Sequence, residues 1–321
     1  MGCIQEGTIK NFRQRIDEIL LPLFRNVKKV YLFDFPNHSN IGDNAIYYGE
    51  IMFCTCNRLD LNYVETVSTS SVKRWYVLDK KKGVILLHGG GNFGDIWLPL
   101  HEYRLRILSY FRDSKIIQLP QTVFFKDKKI LENTKRVIGQ CRDFTLLVRD
   151  SKSFEFAKKY FDCNVFLCPD MAFGIPIEDI MDKISNIESD KILCLKRNDK
   201  EDNGIECADE CNTVEDWVNV ENKKRVQLLR KFIRLYSYAP SKFFLLNQLL
   251  ERCFYGLSQE LTVAGLTQLN LYDYIFTNRL HAHIFSLLLG KPHTIVPDKF
   301  GKIKNFYYTW TKDIPWVELR D

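Results

Sequence analysis

The sequence predicts an α/β fold: a parallel sheet with helices on both faces, followed by a second α/β unit. Two observations predict it. Short apolar runs alternate with amphipathic helical patterns from Lys29 to Leu167. Residues 274–297 then read strand, turn, helix, turn, strand. Between Gly174 and Asp190 the pattern loosens. Ile175, Pro176 and the polar residues 186–190 there mark a domain boundary.

The elements follow in order. Residues 8–25 form an amphipathic helix with Ile9, Phe12, Ile16, Ile19, Leu20 and Leu23 on one side. A strand at 29–35 runs into Asn40, Ile41, Gly42 and Asp43, where a helix starts. Strands at 61–66 and 83–87 come next. The second of these is wholly apolar and runs into the glycine-rich residues 88–95. A helix at 97–111, a strand at 115–119 stopped by Pro120, a helix at 131–140 and a strand at 144–148 follow. A helix at 151–161, capped by Ser151, and a short run at 165–167 complete the first half.

Past the boundary, a strand at 191–195 ends in Lys196 and Arg197. Residues 198–224 are acidic, polar and aperiodic, and read as a surface insertion. Helices at 225–236 and 242–255 lead to 274–297. There Asn278 is the expected N-cap, with Arg279, Leu280 and His281 in the first turn. Leu280, Ile284, Leu287 and Leu288 make the buried stripe, and Gly290 ends the helix. The tail at 302–310 is aromatic, basic and helical.

Composition narrows the function. The 321 residues, 45% of them hydrophobic, suffice for two domains. A net charge of +6 suits phosphorylated substrates or an anionic membrane surface, and is too small and too evenly spread for nucleic acid. No signal-peptide pattern is visible, and no run approaches the roughly 18 apolar residues of a membrane span. The ten cysteines contain no CxxC pair and read as reduced thiols of a cytosolic protein.

The chemistry centres on the start of the helix at 279. A helix N-terminus carries unpaired N–H groups and a positive dipole end, and Arg279 and His281 there build a site for a phosphate or carboxylate. Asn40-Ile-Gly-Asp43 and Asn92-Phe-Gly-Asp95 both link a strand to a helix, where an open α/β sheet binds ligands. Their Asn and Asp residues suit sugar hydroxyls, and serve equally as helix caps. Gly89 to Gly94 fits G-x-G-x-x-G, but no acidic residue closes the next strand, so a dinucleotide site is not supported. His281 and His283 lie about 200° apart around a helix and do not share a metal. No metal and no cofactor is expected.

These segments together resemble the polysaccharide pyruvyl transferases. The resemblance rests on residues 40–46, on 88–95, on 148–153, and on Cys168, Pro169 and Asp170. It continues through Leu195, Lys196 and Arg197, through 278–282, through 290–293, and through Gly301 and Lys302. It implies two Rossmann-like domains facing a cleft, as in the GT-B architecture. Residues 1–180 form the acceptor side and 190–321 the phosphoenolpyruvate side. It implies transfer of pyruvate from phosphoenolpyruvate to a sugar of a surface polysaccharide or its lipid-linked precursor, giving a pyruvate ketal. The partners implied are thus phosphoenolpyruvate and a sugar acceptor. The protein is expected in the cytoplasm, with possible peripheral contact at the inner membrane face.

The Arg-Leu-His turn of that family falls on Arg279, Leu280 and His281, which with Arg197 and Lys302 would hold phosphoenolpyruvate. His281, Arg279 and Asp43 are the expected catalytic residues. Asn40, Gly42, Asp43, Gly90, Gly91, Asn92 and Asp95 are the expected acceptor contacts. Two other readings stay open at this stage: a GT-B-like glycosyltransferase using a nucleotide sugar, and a non-catalytic glycan-binding module.

Overall fold

A computed structural model describes residues 2–25, 27–67, 70, 72–76, 78, 83–184, 191–199, 201–202, 211–237 and 244–320. Helix α1 (Gly2–Leu20) buries Ile9, Phe12, Ile16 and Leu20, then tightens into a 3-10 turn at Leu21–Phe24. The first sheet contains β1 (Lys29–Phe33), β2 (Asp60–Glu65), β3 (Gly83–Leu87), β4 (Gly90–Gly94), β5 (Lys115–Phe124), β6 (Asp143–Val148) and β7 (Asn164–Leu167). Helices α2 (Ile41–Cys56), α3 (Val72–Trp75), α4 (Leu98–Tyr110), α5 (Lys128–Ile138) and α6 (Ser151–Tyr160) connect these strands. The order is β2-β1-β3-β5-β6-β7, with β4 beside β5, and the paired strands run parallel.

The chain then passes α7 (Ile177–Ile180) into a second parallel sheet of β8 (Ile192–Leu195), β9 (Thr213–Glu215), β10 (Tyr274–Thr277), β11 (His293–Ile295) and β12 (Val317–Leu319). Its order is β12-β11-β10-β8-β9. Helices α8 (Lys224–Ser237), α9 (Phe244–Asn270), α10 (Leu280–Leu289) and α11 (Lys302–Phe306) accompany it. The α/β class with parallel, Rossmann-like sheets is as the sequence predicts. Among the described residues no helix is long and apolar enough to cross a membrane.

The core explains the strand sequences. Successive side chains on a strand point to opposite faces, so both faces of a helix-covered sheet demand apolar residues. On β1, Leu32 joins the buried cluster on one face and Phe33 the cluster on the other. The first cluster continues through α2 and α9 to Leu193, Leu195, Ile275 and Ile295 of the second sheet. One continuous apolar core thus underlies both sheets.

Several local expectations are corrected. Strand β5 runs on through Pro120 to Phe124, and residues 90–94 form a strand beside it instead of a loop. Pro120 is tolerated because the pairing with β6 slips between Gln118 and Gln121, so its missing N–H is not needed. Asp150, not Ser151, caps α6, accepting from the Ser153 N–H at 2.8 Å. Arg279, not Asn278, is the N-cap residue of α10.

Residues 198–224 are no simple surface insertion, because β9 extends the sheet edge beside β8. Residues 171–184 pack tightly, burying Phe173, Ile175, Ile177 and Ile180; residues 186–190 lie outside the described residues. Cys194, expected as a reduced core thiol, is disulfide-bonded.

Candidate active site

Each sheet changes direction once, and both changes face one cleft. From β1 the chain moves outward to β2, then returns to the other side of β1 as β3. From β8 it moves out to β9, then returns beside β8 as β10. The strand ends at such a switch point diverge and leave a crevice. His38 and Asn40 come from the crevice after β1, Arg197 from that after β8, and Arg279 and His281 from that after β10. All five line a cleft of about 450 Å³.

The side built on the second sheet carries three cations, Arg197, Arg279 and Lys302, each paired with a carboxylate. Thr277 Oγ1 donates to Leu195 O at 2.6 Å, which ties β10 to β8. Asn278 Oδ1 accepts from the Arg197 N–H at 3.0 Å, which joins the two turns beyond them. This bond is why Asn278 does not cap the helix. Arg279 is 8% exposed and reaches Asp216 at 2.5 Å. Arg197 pairs with Asp199 at 2.8 Å and Glu201 at 2.9 Å. Lys302 Nζ lies 2.8 Å from Glu201 and donates to Gly91 O at 3.1 Å. Burial pushes the Lys302 ammonium down from its usual range, against the pull of Glu201.

His281 bridges to the first sheet. Its Nε2 lies 3.7 Å from Asp170 Oδ2. Asp170 is fully buried, takes Arg149 Nη1 at 2.6 Å and accepts from the Ala172 N–H. Burial opposes its ionisation, but His281 and Arg149 outweigh that and hold it well below the usual carboxylate range. The other face of the imidazole abuts the first turn of α2. A Cβ at Gly42 would stand 2.2 Å from His281 Nδ1. Only glycine leaves room for the ring there.

The sequence profile of the polysaccharide pyruvyl transferases matches residues 40–298, from the N-cap of α2 to just past β11. The chain belongs to this family. It is 30% identical over 300 residues to pyruvyl transferase 1 of Schizosaccharomyces pombe, covering 89% of this chain and 71% of that protein. It is 27% identical over 308 residues to general stress protein 30 of Bacillus subtilis, covering 93% and 82%. Its fold is similar to a crystal structure of an uncharacterised protein of Klebsiella pneumoniae, with a TM-score of 0.64 at 19% identity, over 97% and 99% of the chains.

Most of the residues singled out from sequence meet in this cleft. Asn40, Asp43, Gly91, Asn92, Arg197, Arg279, Leu280, His281 and Lys302 all line the cleft. Asn40 also caps α2, its Oδ1 accepting from the N–H groups of Gly42 and Asp43. Asp43 is therefore free of capping duty. Burial would raise its pKa, but His38, His281, His88 and Arg149 prevail and hold it ionised below the usual range. Asn92 Oδ1 is held by Arg104 at 2.7 Å and Gln121 at 2.9 Å.

Three expected contacts do not line the cleft. Gly42 sits behind His281 as its seat, and Gly90 stands over Asp43, where a Cβ would be 3.8 Å from Oδ1. Asp95 turns away, accepting from the Lys126 and Asp127 N–H groups at 2.6 Å each. It fastens the loop after β5.

Sequence reasoning missed Arg149, Asp170, Asp199, Glu201 and Trp217. Arg149 and Asp170 sit inside the segments that carry the family resemblance. For Arg149 the signal is a charge placed directly after the buried strand that ends at Val148; Asp170 follows the largely exposed β7 by three residues. Asp199, Glu201 and Trp217 fall in the acidic, aperiodic stretch that reads as a surface insertion. The histidine beside the site belongs to the core: His283 Nδ1 meets His293 Nε2 at 2.6 Å and its Nε2 meets Thr311 Oγ1 at 3.0 Å. Among the described residues no cluster of three or more His, Cys, Asp or Glu side chains could hold a metal ion.

Proposed function

We propose that this pyruvyl transferase moves the enolpyruvyl unit of phosphoenolpyruvate onto two hydroxyls of a sugar, giving a ketal and inorganic phosphate. The carrying observation is a buried nitrogen at a helix start. Arg279 lines the cleft, and its Nε has no hydrogen-bond partner. Buried donors without partners are costly and rare, and a bound anion satisfies them. Phosphoenolpyruvate brings two anionic groups, a phosphate and a carboxylate. Arg279, Arg197, Lys302 and the α10 N-terminus supply matching positive charge. In this reading no metal takes part.

The steps balance as follows. C3 of the enol gains a proton, one sugar hydroxyl attacks C2, and the C2–O bond to phosphate breaks. The second hydroxyl then closes on C2. Of the two protons released by the hydroxyls, one replaces that delivered to C3 and one leaves with phosphate. His281 carries an imidazole, a group able both to give and to take a proton, and Asp170 behind it, 3.7 Å from Nε2, orients the ring. Asp43, ionised on the opposite wall, is the acceptor-side base. The first half of the chain, residues 1–180, presents the acceptor, and residues 190–321 hold the donor. The acceptor belongs to a surface polysaccharide or its lipid-linked precursor, which places the work at the inner membrane face.

Acceptor-dependent phosphate release from phosphoenolpyruvate tests this reading. His281→Asn and Arg279→Ala each reduce it by about 100-fold or more. Release of a nucleotide from a nucleotide sugar would instead identify a glycosyltransferase.

A further inference from the structure

A second cavity of about 240 Å³ opens beside the cleft and shares His38, Asp43, Asn92 and Leu100 with it. Its own wall carries Asp34 and His88, between the apolar Phe35 and Val67. It is smaller than the roughly 300–1,000 Å³ of most drug-sized ligand sites, so it suits one small ring.

Two of its polar groups lack hydrogen bonds. Asp34 is 5% exposed, yet its Oδ2 has no hydrogen-bond partner; Arg104 Nη2 stands 3.5 Å away. His88 is 3% exposed. Its Nδ1 lies 2.9 Å from Glu50 Oε2, while Nε2 has no partner. An acceptor with only a long ion pair and a ring nitrogen without a hydrogen bond, both buried, thus belong to residues lining one cavity.

The backbone adds an independent observation. Asp34 has φ +73°, a left-handed conformation that glycine adopts freely and that, among other residues, Asn and Asp adopt most readily. Glycine would fit this turn with less strain. Strain of this kind persists where a side chain serves a purpose, and clusters at ligand sites. The turn directly follows β1, at the switch point of the first sheet.

We propose that this side cavity is the acceptor subsite. One sugar ring enters it, with one hydroxyl donating to Asp34 Oδ2 and a neighbouring hydroxyl bonded to His88 Nε2. The ring's hydrophobic face lies along Phe35 and Val67. The reacting hydroxyl pair then points past Asp43 toward the donor. This rests on the pyruvyl-transfer reading above, and it assigns residues on the acceptor side that lie outside the Asn-x-Gly-Asp turns.

The test measures KM for phosphoenolpyruvate and for the p-nitrophenyl glycosides of galactose, glucose and mannose. It compares the unmutated protein with Asp34→Asn and Val67→Phe. Asparagine tolerates the left-handed turn, and phenylalanine at 67 fills the side cavity from a position outside the cleft. Both variants raise the glycoside KM about tenfold or more and leave the phosphoenolpyruvate KM within about twofold. An unchanged glycoside KM, or a parallel rise in both, overturns the assignment. If Asp34→Asn does not fold, Val67→Phe decides.

Saturation-transfer NMR with the same glycosides, without phosphoenolpyruvate, separates the two levels. Transfer that both variants abolish, in a protein with no turnover, upholds the subsite and removes the transferase reading. Transfer that is absent with all three glycosides, or unaffected by the substitutions, removes the subsite.

Discussion

Gly42 and His281 occupy one space. The ring lies where a side chain at 42 would be, so Gly42→Ala displaces the imidazole from its place beside Asp170. Alanine is the better helix former, so α2 itself persists. A displacement of about 1 Å at a reacting group can cost on the order of 100-fold in rate. We expect a loss of that size with unchanged far-UV circular dichroism. Full activity in Gly42→Ala would show that His281 is not held by this contact. Asp34 gives a second prediction, in stability. Burial pushes its carboxyl up to about 6, against the pull of Arg104. Between pH about 4 and about 6 the folded protein keeps a proton that the unfolded chain has lost, so its contribution to stability falls as pH rises. Asp34→Asn removes that fall, which is worth about 2–3 kcal/mol for a shift of this size. Urea unfolding at the two ends of the window checks it: the difference between variant and unmutated protein grows in the variant's favour toward the upper end.

At the scale of elements, turns decide the site. Asn40 both caps α2 and lines the cleft. Asn40→Ala should cost about 1 kcal/mol in stability, while Asn40→Asp keeps the cap. Thermal unfolding of both distinguishes the capping role from any role in binding. The periodic elements were legible in the sequence because burial on both faces enforces apolar strands and striped helices. The caps were less so. Asn278, Ser151 and Asp43 all have the chemistry of a cap, but Asn278 is spent on Arg197, and Asp150 and Asn40 cap the other two helices. Strand β9 has only three residues at a sheet edge, too short a run to show a period. Asp95 follows the same Asn-x-Gly pattern as Asp43, yet the extended β4 ahead of it sends it to another loop.

For the whole molecule, the central fact is that two switch points share one cleft. The first sheet brings Asn40, Asp43 and Asn92 there; the second brings Arg197, Arg279 and His281. Contacts between them fix their distance: Lys302 to Gly91, Trp97 to Glu201, and Trp310 to Arg149 O at 2.9 Å. Arg279 and His281 were readable because a basic residue at a helix start has few other uses. Asp170 and Glu201 were not readable, because their meaning comes from residues far along the chain, His281 and Lys302. The most direct measurement incubates the protein with phosphoenolpyruvate and galactose-, glucose- and mannose-type acceptors, and follows mass and phosphate together. Pyruvyl transfer yields an acceptor heavier by pyruvate less one water, with one phosphate released for each acceptor modified. Phosphate release that no acceptor stimulates, with no acceptor gaining that mass, would contradict it.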